Sequence, residues 1–251
     1  MFELRGISKR FGDVTAVETT DWSIATGKTT VIIGPSGCGK STLLRLLIGL
    51  IEPDNGQVIF DGTPLGDESI TEVRRRIGYV IQGGGLFPHL TARENIELMP
   101  RHLDWPDGRI DDRLQRFVDM THFPAEGLDR YPGELSGGQR QRVSLMRALI
   151  LDPDAVLMDE PLGALDPLIR AELQDELQSI FDDLDKTVIT VTHDMDEAAF
   201  FGDDIALMRD GKILQVGGVR DLLESPADPF VSEFIGAQRS ILADFERGDR
   251  T

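Results

Sequence analysis

The sequence predicts an α/β fold built on a parallel sheet, and three features of the chain lead to this prediction. Apolar strand-like segments alternate with amphipathic helices, as expected for parallel strands joined by crossover helices. One buried strand, Thr29–Ile33, runs into a glycine-rich turn and an apolar helix. With 251 residues and 40% hydrophobic composition, the chain is large enough for one such core. Ligands of this fold class bind at the carboxyl ends of the strands.

Short strands separated by turns are predicted for the first sixty residues. Turn signals occur at Gly12-Asp13 and at Thr26-Gly27-Lys28, between segments rich in β-branched residues. The predicted strands are Phe2–Ser8, Val17–Ile24, Thr29–Ile33 and Gln57–Phe60.

A helical insert is predicted for about residues 86–150. Thr91 is suited to cap a helix that runs through Met99, and Glu94 three residues later completes a capping box. Apolar residues at helical spacing indicate two further helices, with Ile110, Leu114, Phe117 and Val118 in the first and Val143, Met146, Leu149 and Ile150 in the second.

The α/β pattern returns after this insert. Ala155–Met158 is typical of a buried strand, and a helix begins at Asp166-Pro167 with a capping carboxylate and a proline in its first turn. Strands follow at Thr187–Thr192 and Ile205–Met208, and short helices are expected from Asp221 to Thr251. The helix that starts at Asp166 is predicted to bury one face, formed by Ile169, Leu173, Leu177, Ile180 and Leu184.

Composition argues against several classes of function. The formal net charge is −18, from 26 Lys and Arg against 44 Asp and Glu, and nucleic-acid binding needs a positive field. The single cysteine, Cys38, excludes an internal disulfide and a cysteine-rich zinc site, and it fits a reducing compartment. We expect no signal peptide and no membrane span, since no apolar run approaches the necessary length of about 20 residues.

The most specific motif is Gly34-Pro-Ser-Gly-Cys-Gly-Lys-Ser41, which matches the pattern G-x-x-x-x-G-K-[ST] between a strand and the predicted helix Thr42–Leu50. Glycines let backbone N–H groups turn toward phosphates, and the helix N-terminus adds positive potential. Lys40 is expected to reach the β- and γ-phosphates of ATP, and Ser41 to ligate Mg²⁺. The alternative is a glycine-rich turn without a ligand. The predicted nucleotide-binding residues are Gly34, Pro35, Ser36, Gly37, Cys38, Gly39, Lys40, Ser41 and Thr42.

A second motif is the apolar strand that ends in Asp159-Glu160. Beside a phosphate-binding loop, such a carboxylate pair indicates a Walker B element. Asp159 would hold Mg²⁺ through water, and Glu160 would polarise the attacking water. The alternative is an ordinary capped strand end.

A third motif, Leu135-Ser-Gly-Gly-Gln139, precedes a helix predicted over Arg140–Leu151. Two glycines and a serine at a helix start form a second anion site. With the two motifs above, in this order, the sequence resembles the ATP-binding cassette (ABC) ATPases, whose signature motif is this pentapeptide. The resemblance covers nearly the whole chain.

The resemblance implies an ABC ATPase architecture: a P-loop NTPase core with a RecA-like parallel sheet, an N-terminal antiparallel β subdomain and a helical insert. It implies one domain over residues 1–240, with a helical subdomain at about 86–150 and a C-terminal tail at 241–251. It also implies that ATP is bound between two copies of the chain. The second copy would supply Leu135, Ser136, Gly137, Gly138 and Gln139.

Further site residues follow from the same resemblance. Phe11 would stack on adenine, with packing in the core as the alternative. Gln82 would touch Mg²⁺ and the attacking water, or be an ordinary polar loop residue. His193 would contact the γ-phosphate, or cap the helix that follows it. Asp166 would lie in the loop that crosses the dimer interface. Glu160, His193 and Gln82 are thus the expected catalytic residues, and Ser41, Gln82 and Asp159 the expected metal-site residues.

Two interpretations of Cys38 remain open. The side chain is either an inert small filler or a thiol whose pKa is lowered by the neighbouring helix start. In the second case a maleimide would inhibit the ATPase and ATP would protect it.

One cassette without membrane spans indicates an importer subunit that works with a separate permease and an extracytoplasmic solute-binding protein. The permease would hold it at the cytoplasmic side of the inner or plasma membrane. A finer resemblance points to importers of osmoprotectants such as glycine betaine, choline and carnitine. The segments that carry it are Gly78–Thr91, Glu94–Ile96, Leu103–Trp105, Thr192–Ala198, Asp210–Gly217 and Asp228–Arg239.

Other functions stay open. The solute could be another small molecule, such as an amino acid or a polyamine. A soluble ABC ATPase that acts on nucleic acid or ribosomes is disfavoured by the charge and by the single cassette without a heptad run. A non-catalytic regulatory partner would be expected to lack Lys40, Glu160 or His193, and all three are present.

Three departures from the family pattern stand out. The run Gly83-Gly84-Gly85 predicts an unusually mobile loop after Gln82. Gly133 stands where the family often has His. Gly163 stands where it usually has Ser, which would remove a hydroxyl from the dimer interface. Since none is at an ATP-contacting position, we expect them to affect coupling and dimer affinity and to leave hydrolysis intact.

Overall fold

The computed structural model describes residues 1–66, 69–163, 165–184 and 186–238, without the side chains of residues 182–184. These residues form two sheets and a group of helices. The elements are β1 (Phe2–Phe11), β2 (Val14–Ile24), β3 (Thr29–Ile33), α1 (Lys40–Leu47), β4 (Asn55–Phe60), β5 (Thr63–Pro64), α2 (Ile70–Arg75), β6 (Ile77–Val80), α3 (Ala92–His102), α4 (Asp107–Met120), α5 (Gly137–Leu149), β7 (Ala155–Asp159), α6 (Pro167–Leu184), β8 (Thr187–Thr192), α7 (Met195–Phe201), β9 (Asp204–Arg209), β10 (Lys212–Gly217), α8 (Val219–Glu224) and α9 (Pro229–Ala237).

The two sheets differ in strand direction. The first is antiparallel with strand order β2-β1-β4-β5. The second has the order β10-β9-β3-β8-β7-β6, in which β9 to β6 are parallel and β10 is an antiparallel edge strand. Strands β3, β7 and β8 are buried along their whole length, as expected for parallel strands covered on both faces.

The parallel register brings three functional segments to one edge of the second sheet. Ile33 pairs with Thr192, and Asp159 pairs with Val191. The loop after β3, the residue after β7 and the turn after β8 therefore lie side by side. This is the carboxyl edge at which the sequence predicts a ligand.

Two apolar clusters form the core. One joins α3, α4 and α5 to a face of the parallel sheet through residues such as Ile96, Phe117 and Val143. The other lies between the two sheets and α1, and includes Phe60 and Leu43. α1 thus packs with the sheets, whereas α5 packs with α3, α4, α6 and β6.

The sequence predicts most of these elements. Strands β3 and β8 have the predicted bounds, and the capping box at Thr91 is present. Of the predicted apolar face of α6, Leu173, Leu177 and Ile180 are buried and Ile169 is half-buried. The side chain of Leu184 and the tail after residue 238, which includes Arg239 and residues 241–251, lie outside the described residues.

Three predicted helices have wrong bounds. α1 spans Lys40–Leu47 rather than Thr42–Leu50. α5 begins at Gly137 rather than Arg140, because Ser136 caps the helix and takes both glycines into its first turn. α3 continues past Met99 to His102 with Pro100 in its last turn.

The sequence does not predict α2, β5, β6 or β10. The segment of β6 carries Gly78, which weakens its strand pattern. The structure explains this glycine, because a Cβ at Gly78 would lie 2.5 Å from the carbonyl oxygen of Ala148. The strand is therefore packed directly against the backbone of α5. Among the described residues, no helix combines the length and apolar character that a bilayer span needs.

Candidate nucleotide site

The loop between β3 and α1 is a close-packed turn that only glycine allows. A Cβ at Gly34 would lie 2.2 Å from the carbonyl oxygen of Met208, and one at Gly39 would lie 2.0 Å from that of Ala16. Gly39 also has φ +108°. The backbone is thus fixed in a tight curve at the N-terminus of α1. That helix start has no side-chain cap and no acidic residue in its first turn, so its N–H groups are suited to an anion.

Lys40 lies inside this curve. The residue is 5% exposed, and its ammonium group donates hydrogen bonds to the carbonyl oxygens of Gly34 (2.8 Å) and Pro35 (3.0 Å). A buried cation needs such partners. The loop thereby holds a positive charge next to the N–H groups of α1.

Ser41 and Asp159 form the link between the loop and β7. The Ser41 hydroxyl donates to Asp159 Oδ1 over 2.9 Å. Burial raises the pKa of Asp159 above its usual range, and the hydrogen bond from Ser41 opposes that rise. A hydroxyl and a carboxylate are hard oxygen donors of the kind Mg²⁺ prefers, and the buried carboxylate favours a cation beside it. These residues fit the predicted Mg²⁺ site.

Three polar side chains meet beyond the end of β7. Glu160 Oε2 accepts a hydrogen bond from Gln82 Nε2 at 3.2 Å and lies 3.5 Å from His193 Nδ1. Glu160 has φ +46°, a left-handed conformation that is uncommon for a residue with a side chain. Its N–H still donates to the carbonyl of Val191 over 2.9 Å. The structure therefore brings the three predicted catalytic residues together.

His193 itself is not the cap of α7, so that interpretation is wrong. Asp194 is the cap, because its side chain accepts hydrogen bonds from the N–H groups of Asp196 and Glu197. The side chain of His193 is 55% exposed and faces Glu160. Glu197 is buried beside this turn, accepts a hydrogen bond from Thr192, and has its pKa raised by burial.

Phe11 ends β1 and is 52% exposed, with the Lys9 ammonium 5.6 Å from its ring centroid. Packing in the core is therefore the wrong interpretation for this ring. Stacking on adenine stays a prediction.

The signature segment starts α5. The Ser136 hydroxyl accepts from the N–H of Gln139, and the Gln139 side chain accepts from the N–H of Ser136. Leu135 is buried, and Gly138 is packed against α6, where a Cβ would lie 2.7 Å from a methyl carbon of Ile169. The remaining first-turn N–H groups, at Gly137 and Gly138, have no partner within the helix.

Asp166 caps α6 as predicted. Its Oδ1 accepts from the N–H of Ile169 over 3.1 Å, and the residue is exposed. A place at a dimer interface stays a prediction.

The loop after Gln82 is held by two residues of α5 that the sequence analysis missed. The Ser144 hydroxyl and Arg147 both donate to the carbonyl of Gly84, and Arg147 also donates to that of Gly85. All three glycines of the run have positive φ, between +53° and +82°. The glycines thus serve a left-handed turn, and the unusual mobility of this loop stays a prediction. The helical pattern around Val143 places Ser144 and Arg147 on α5, but nothing in it shows which backbone they meet.

Cys38 is the inert filler of the two interpretations. Cys38 is buried in the cluster between the sheets, and burial raises the pKa of its thiol. The desolvation outweighs the effect of Lys40, which lowers the pKa. The expectation of a reactive thiolate is therefore wrong.

The two remaining glycine departures differ in their surroundings. A Cβ at Gly133 would meet no atom within 4 Å, so a side chain there would be accommodated. A Cβ at Gly163 would lie 3.3 Å from Glu160 Oε2. Gly163 therefore borders the Glu160 carboxylate, and the expectation that these departures leave hydrolysis intact stays a prediction.

Comparison with known proteins identifies the family. The family model described as ABC transporter matches residues 17–163. The chain belongs to the ABC transporter family. It is 46% identical to the choline transport ATP-binding protein OpuBA of Bacillus subtilis, over all of this chain and 67% of that protein. It is 41% identical to the osmoprotectant import ATP-binding protein OsmV of Salmonella typhimurium, over 96% of this chain and 65% of that protein.

Solved structures agree with this assignment. The dimeric post-hydrolysis state of the ATP-binding cassette MJ0796, bound to ADP and Pi, has a TM-score of 0.79 to this chain. It is 33% identical over 88% of this chain and 99% of that chain. The predicted ABC ATPase architecture is confirmed, and the chain is an ABC ATPase. The chain spans about two thirds of the length of the curated relatives it matches.

Proposed function

We propose that this protein is the ATP-hydrolysing subunit of an importer for osmoprotectants of the glycine betaine, choline and carnitine class. The proposed ATP hydrolysis rests on one observation: the side chains of Gln82 and His193 both contact the Glu160 carboxylate. Ser41 and Asp159, the residue before Glu160, are hydrogen-bonded to each other. A binding protein without catalysis would not need a carboxylate, an amide and an imidazole aimed at one point. The solute class is supported by the relatives, which are named for transport of choline, carnitine and glycine betaine.

Each residue has a role that follows from its position. The N–H groups of α1 and the ammonium of Lys40 bind the phosphate chain, with electrostatic attraction as the main term. Glu160 accepts a proton from the attacking water. The side-chain amide of Gln82, which lies next to the Glu160 carboxylate, orients that water. His193 donates to the oxygen of the terminal phosphate and balances its charge. Phe11 supports the adenine ring.

Mg²⁺, held by Ser41 and Asp159 with Gln82 nearby, would neutralise charge on the β- and γ-phosphates. The protein supplies the rest of the stabilisation through fixed N–H groups and cations. Because these groups are oriented before ATP arrives, little reorganisation is needed at the reaction step.

The second half of the site comes from another copy. The loop before α1 and the start of α5 lie on elements that pack in different parts of the fold. The N–H groups of Gly137 and Gly138 have no partner within the helix and are available to an anion, which the γ-phosphate bound by a partner would supply. ATP therefore joins two copies, and its hydrolysis removes the bridge. The dimeric cassette with ADP and Pi supports this arrangement.

The permease docks in the groove formed by the loop after Gln82, α2, α3 and the end of α5. This docking groove has a volume of about 570 Å³ and a mainly apolar lining. Four exposed apolar side chains converge on it, namely Ile81, Phe87, Leu98 and Met99. Its charged lining residues are Arg74, Arg75 and Arg147, and none of the described lining residues is acidic. The groove therefore fits a short amphipathic permease helix that carries a carboxylate. An extracytoplasmic solute-binding protein would deliver the solute to that permease.

Glu160→Gln tests the catalytic proposal. The amide keeps the shape of the side chain but cannot accept the proton of water, so ATP stays bound. We expect an ATP-bound dimer in size-exclusion chromatography and hydrolysis slowed by about 100-fold or more. Glu126→Gln, at an exposed residue remote from the site, serves as the control and should hydrolyse ATP at the normal rate. A Glu160→Gln variant that stays monomeric at saturating ATP, or that hydrolyses it normally, would refute the proposal.

A further inference from the structure

The side chain of Gln238 is hydrogen-bonded to both ends of the turn that carries His193. The Gln238 amide nitrogen donates to the carbonyl oxygen of His193 over 2.7 Å, and its amide oxygen accepts from the N–H of Met195 over 2.7 Å. Both distances are at the short end of the usual range for such hydrogen bonds. The two backbone groups lie on either side of Asp194, so one amide spans the whole turn.

The position of Gln238 is fixed by the helix before it. Gln238 follows the last residue of α9, whose start is capped by Asp228. Val231, Phe234 and Ile235 are buried in the same apolar cluster as Met195 and Ala198 of α7. The amide is thus presented by a packed helix and needs little further ordering to make its hydrogen bonds.

The other contacts of the turn hold its neighbours. The Thr192 hydroxyl donates to buried Glu197 and accepts from the N–H of Asp194. Arg170 Nη1 lies 3.5 Å from Asp194 Oδ2. These contacts fix Thr192 and Asp194 by way of α6 and α7. The peptide that joins His193 to Asp194 is thus held at its N–H by the Thr192 hydroxyl and at its carbonyl oxygen by the Gln238 amide.

We propose that Gln238 is a positioning residue for catalysis, which holds the His193 backbone so that the imidazole stays at Glu160 and the terminal phosphate. This inference rests on the proposed role of His193. A displacement of the turn at His193 would carry its imidazole away from Glu160, whose Oε2 lies 3.5 Å from Nδ1. Small displacements of a catalytic group have large effects on rate. The chemistry at the carboxyl edge of β8 therefore depends on a residue 45 positions later in the chain.

Gln238→Met tests this inference. Methionine has nearly the same length and flexibility but can make neither hydrogen bond. The expected result is a single-turnover hydrolysis rate about tenfold lower, with the affinity for ATP within about twofold of the normal value. The single-turnover rate is measured with the full chain in excess over γ-labelled ATP, so that slow hydrolysis is still recorded. A normal rate would overturn the inference.

Gln215→Met is the matched control. The Gln215 side chain also brackets backbone, since it donates to the carbonyl groups of Asp221 and Ser225 and accepts from the N–H of Ala227. This variant loses the same kind of hydrogen bond remote from the site, so it is expected to lower the melting temperature without slowing hydrolysis. If Gln215→Met slows the reaction as much as Gln238→Met does, a general loss of stability explains both and the inference fails.

A double-mutant cycle with His193→Ala separates this inference from the proposed function. His193→Ala alone should slow hydrolysis, and an unchanged rate would refute the role of His193 itself. Once His193 is removed, Gln238→Met should cause no further loss, because Gln238 acts through that side chain. A full tenfold loss in the double variant would show that Gln238 acts by another route and would overturn the inference.

Discussion

Glu160 occupies a backbone conformation that side chains rarely adopt, and its surroundings show how this is sustained. Its N–H bonds to Val191, its carboxylate meets Gln82 and His193, and Gly163 leaves space beside Oε2. Non-glycine residues with positive φ cluster at functional sites where neighbouring contacts hold them. A serine at Gly163 would bring its Cβ to 3.3 Å from the carboxylate and would constrain its movement.

The sequence predicts the three catalytic side chains but not the contacts that fix their positions. Gln82, Glu160 and His193 each belong to a motif that the family resemblance identifies. Gln238 belongs to no motif that predicts a contact, since its partner is a backbone carbonyl 45 residues earlier. Hydrogen bonds to the backbone leave no trace in the identity of the partner residue, so only the fold reveals them.

Cys38 gives a prediction at the same scale. A thiol that is buried and has a raised pKa is a poor nucleophile at neutral pH. We expect N-ethylmaleimide to label the folded protein at least about tenfold more slowly than the protein in guanidinium chloride. Because Cys38 is the only cysteine, intact-mass spectrometry reads the reaction directly. Equal labelling rates in the two states would show that the thiol is accessible.

At the scale of elements, the N-termini of the helices differ in how their N–H groups are satisfied, and this difference separates the phosphate-binding helix from the others. α1 begins without a side-chain cap, so its N–H groups remain for phosphate. α3 and α5 both begin with a capping box, formed by Thr91 with Glu94 and by Ser136 with Gln139. The two boxes are alike in chemistry, but only the second is followed by two glycines that let an anion approach.

The likeness of these caps allows a controlled prediction. Ser136→Ala and Thr91→Ala should each destabilise the fold by about 1 kcal/mol, because each removes one N-cap. Only Ser136→Ala should also weaken ATP-dependent dimerisation, since Ser136 belongs to the half-site for the partner's nucleotide. Thermal unfolding measures the first effect. Analytical ultracentrifugation in the Glu160→Gln background measures the second. Equal dimer affinity in the two variants would argue against a role of Ser136 beyond its cap.

The sequence predicts an element well where its hydrophobic pattern and its length both indicate the same structure. It predicts an element poorly where tertiary packing determines the residues. β3 and β8 are continuous runs of buried residues between turns, and their bounds were predicted correctly. β6 is only four residues long and contains Gly78, which is present because α5 approaches its backbone. Such a requirement arises from the tertiary structure and cannot be seen in a local window.

At the scale of the whole molecule, the charge is distributed unevenly. The chain carries a formal net charge of −18, yet the docking groove has arginines and no acidic residue among its described lining residues. A basic surface on an acidic molecule selects a partner that presents acidic groups to it.

Reversing one charge tests this surface together with the proposed solute class. Arg75→Glu introduces a carboxylate into the docking groove, so we expect weaker co-purification of the permease and weaker stimulation of hydrolysis by glycine betaine, choline or carnitine. Arg116→Glu, an exposed substitution on α4 outside the docking groove, is the control and should leave both unchanged. Equal permease recovery with both variants would place the docking surface elsewhere. A normal complex that responds to none of the three solutes would refute the solute class.

The bounds of α5 have a mechanical consequence. Its first turn contains the glycines of the signature segment, and near its other end Arg147 holds the loop after Gln82 and Ala148 lines the docking groove. Thirteen residues at 1.5 Å each make a rod of about 20 Å. If a second copy displaces the N-terminus of α5, the C-terminal end of the helix and the docking groove move with it, because the helix is unbroken between them.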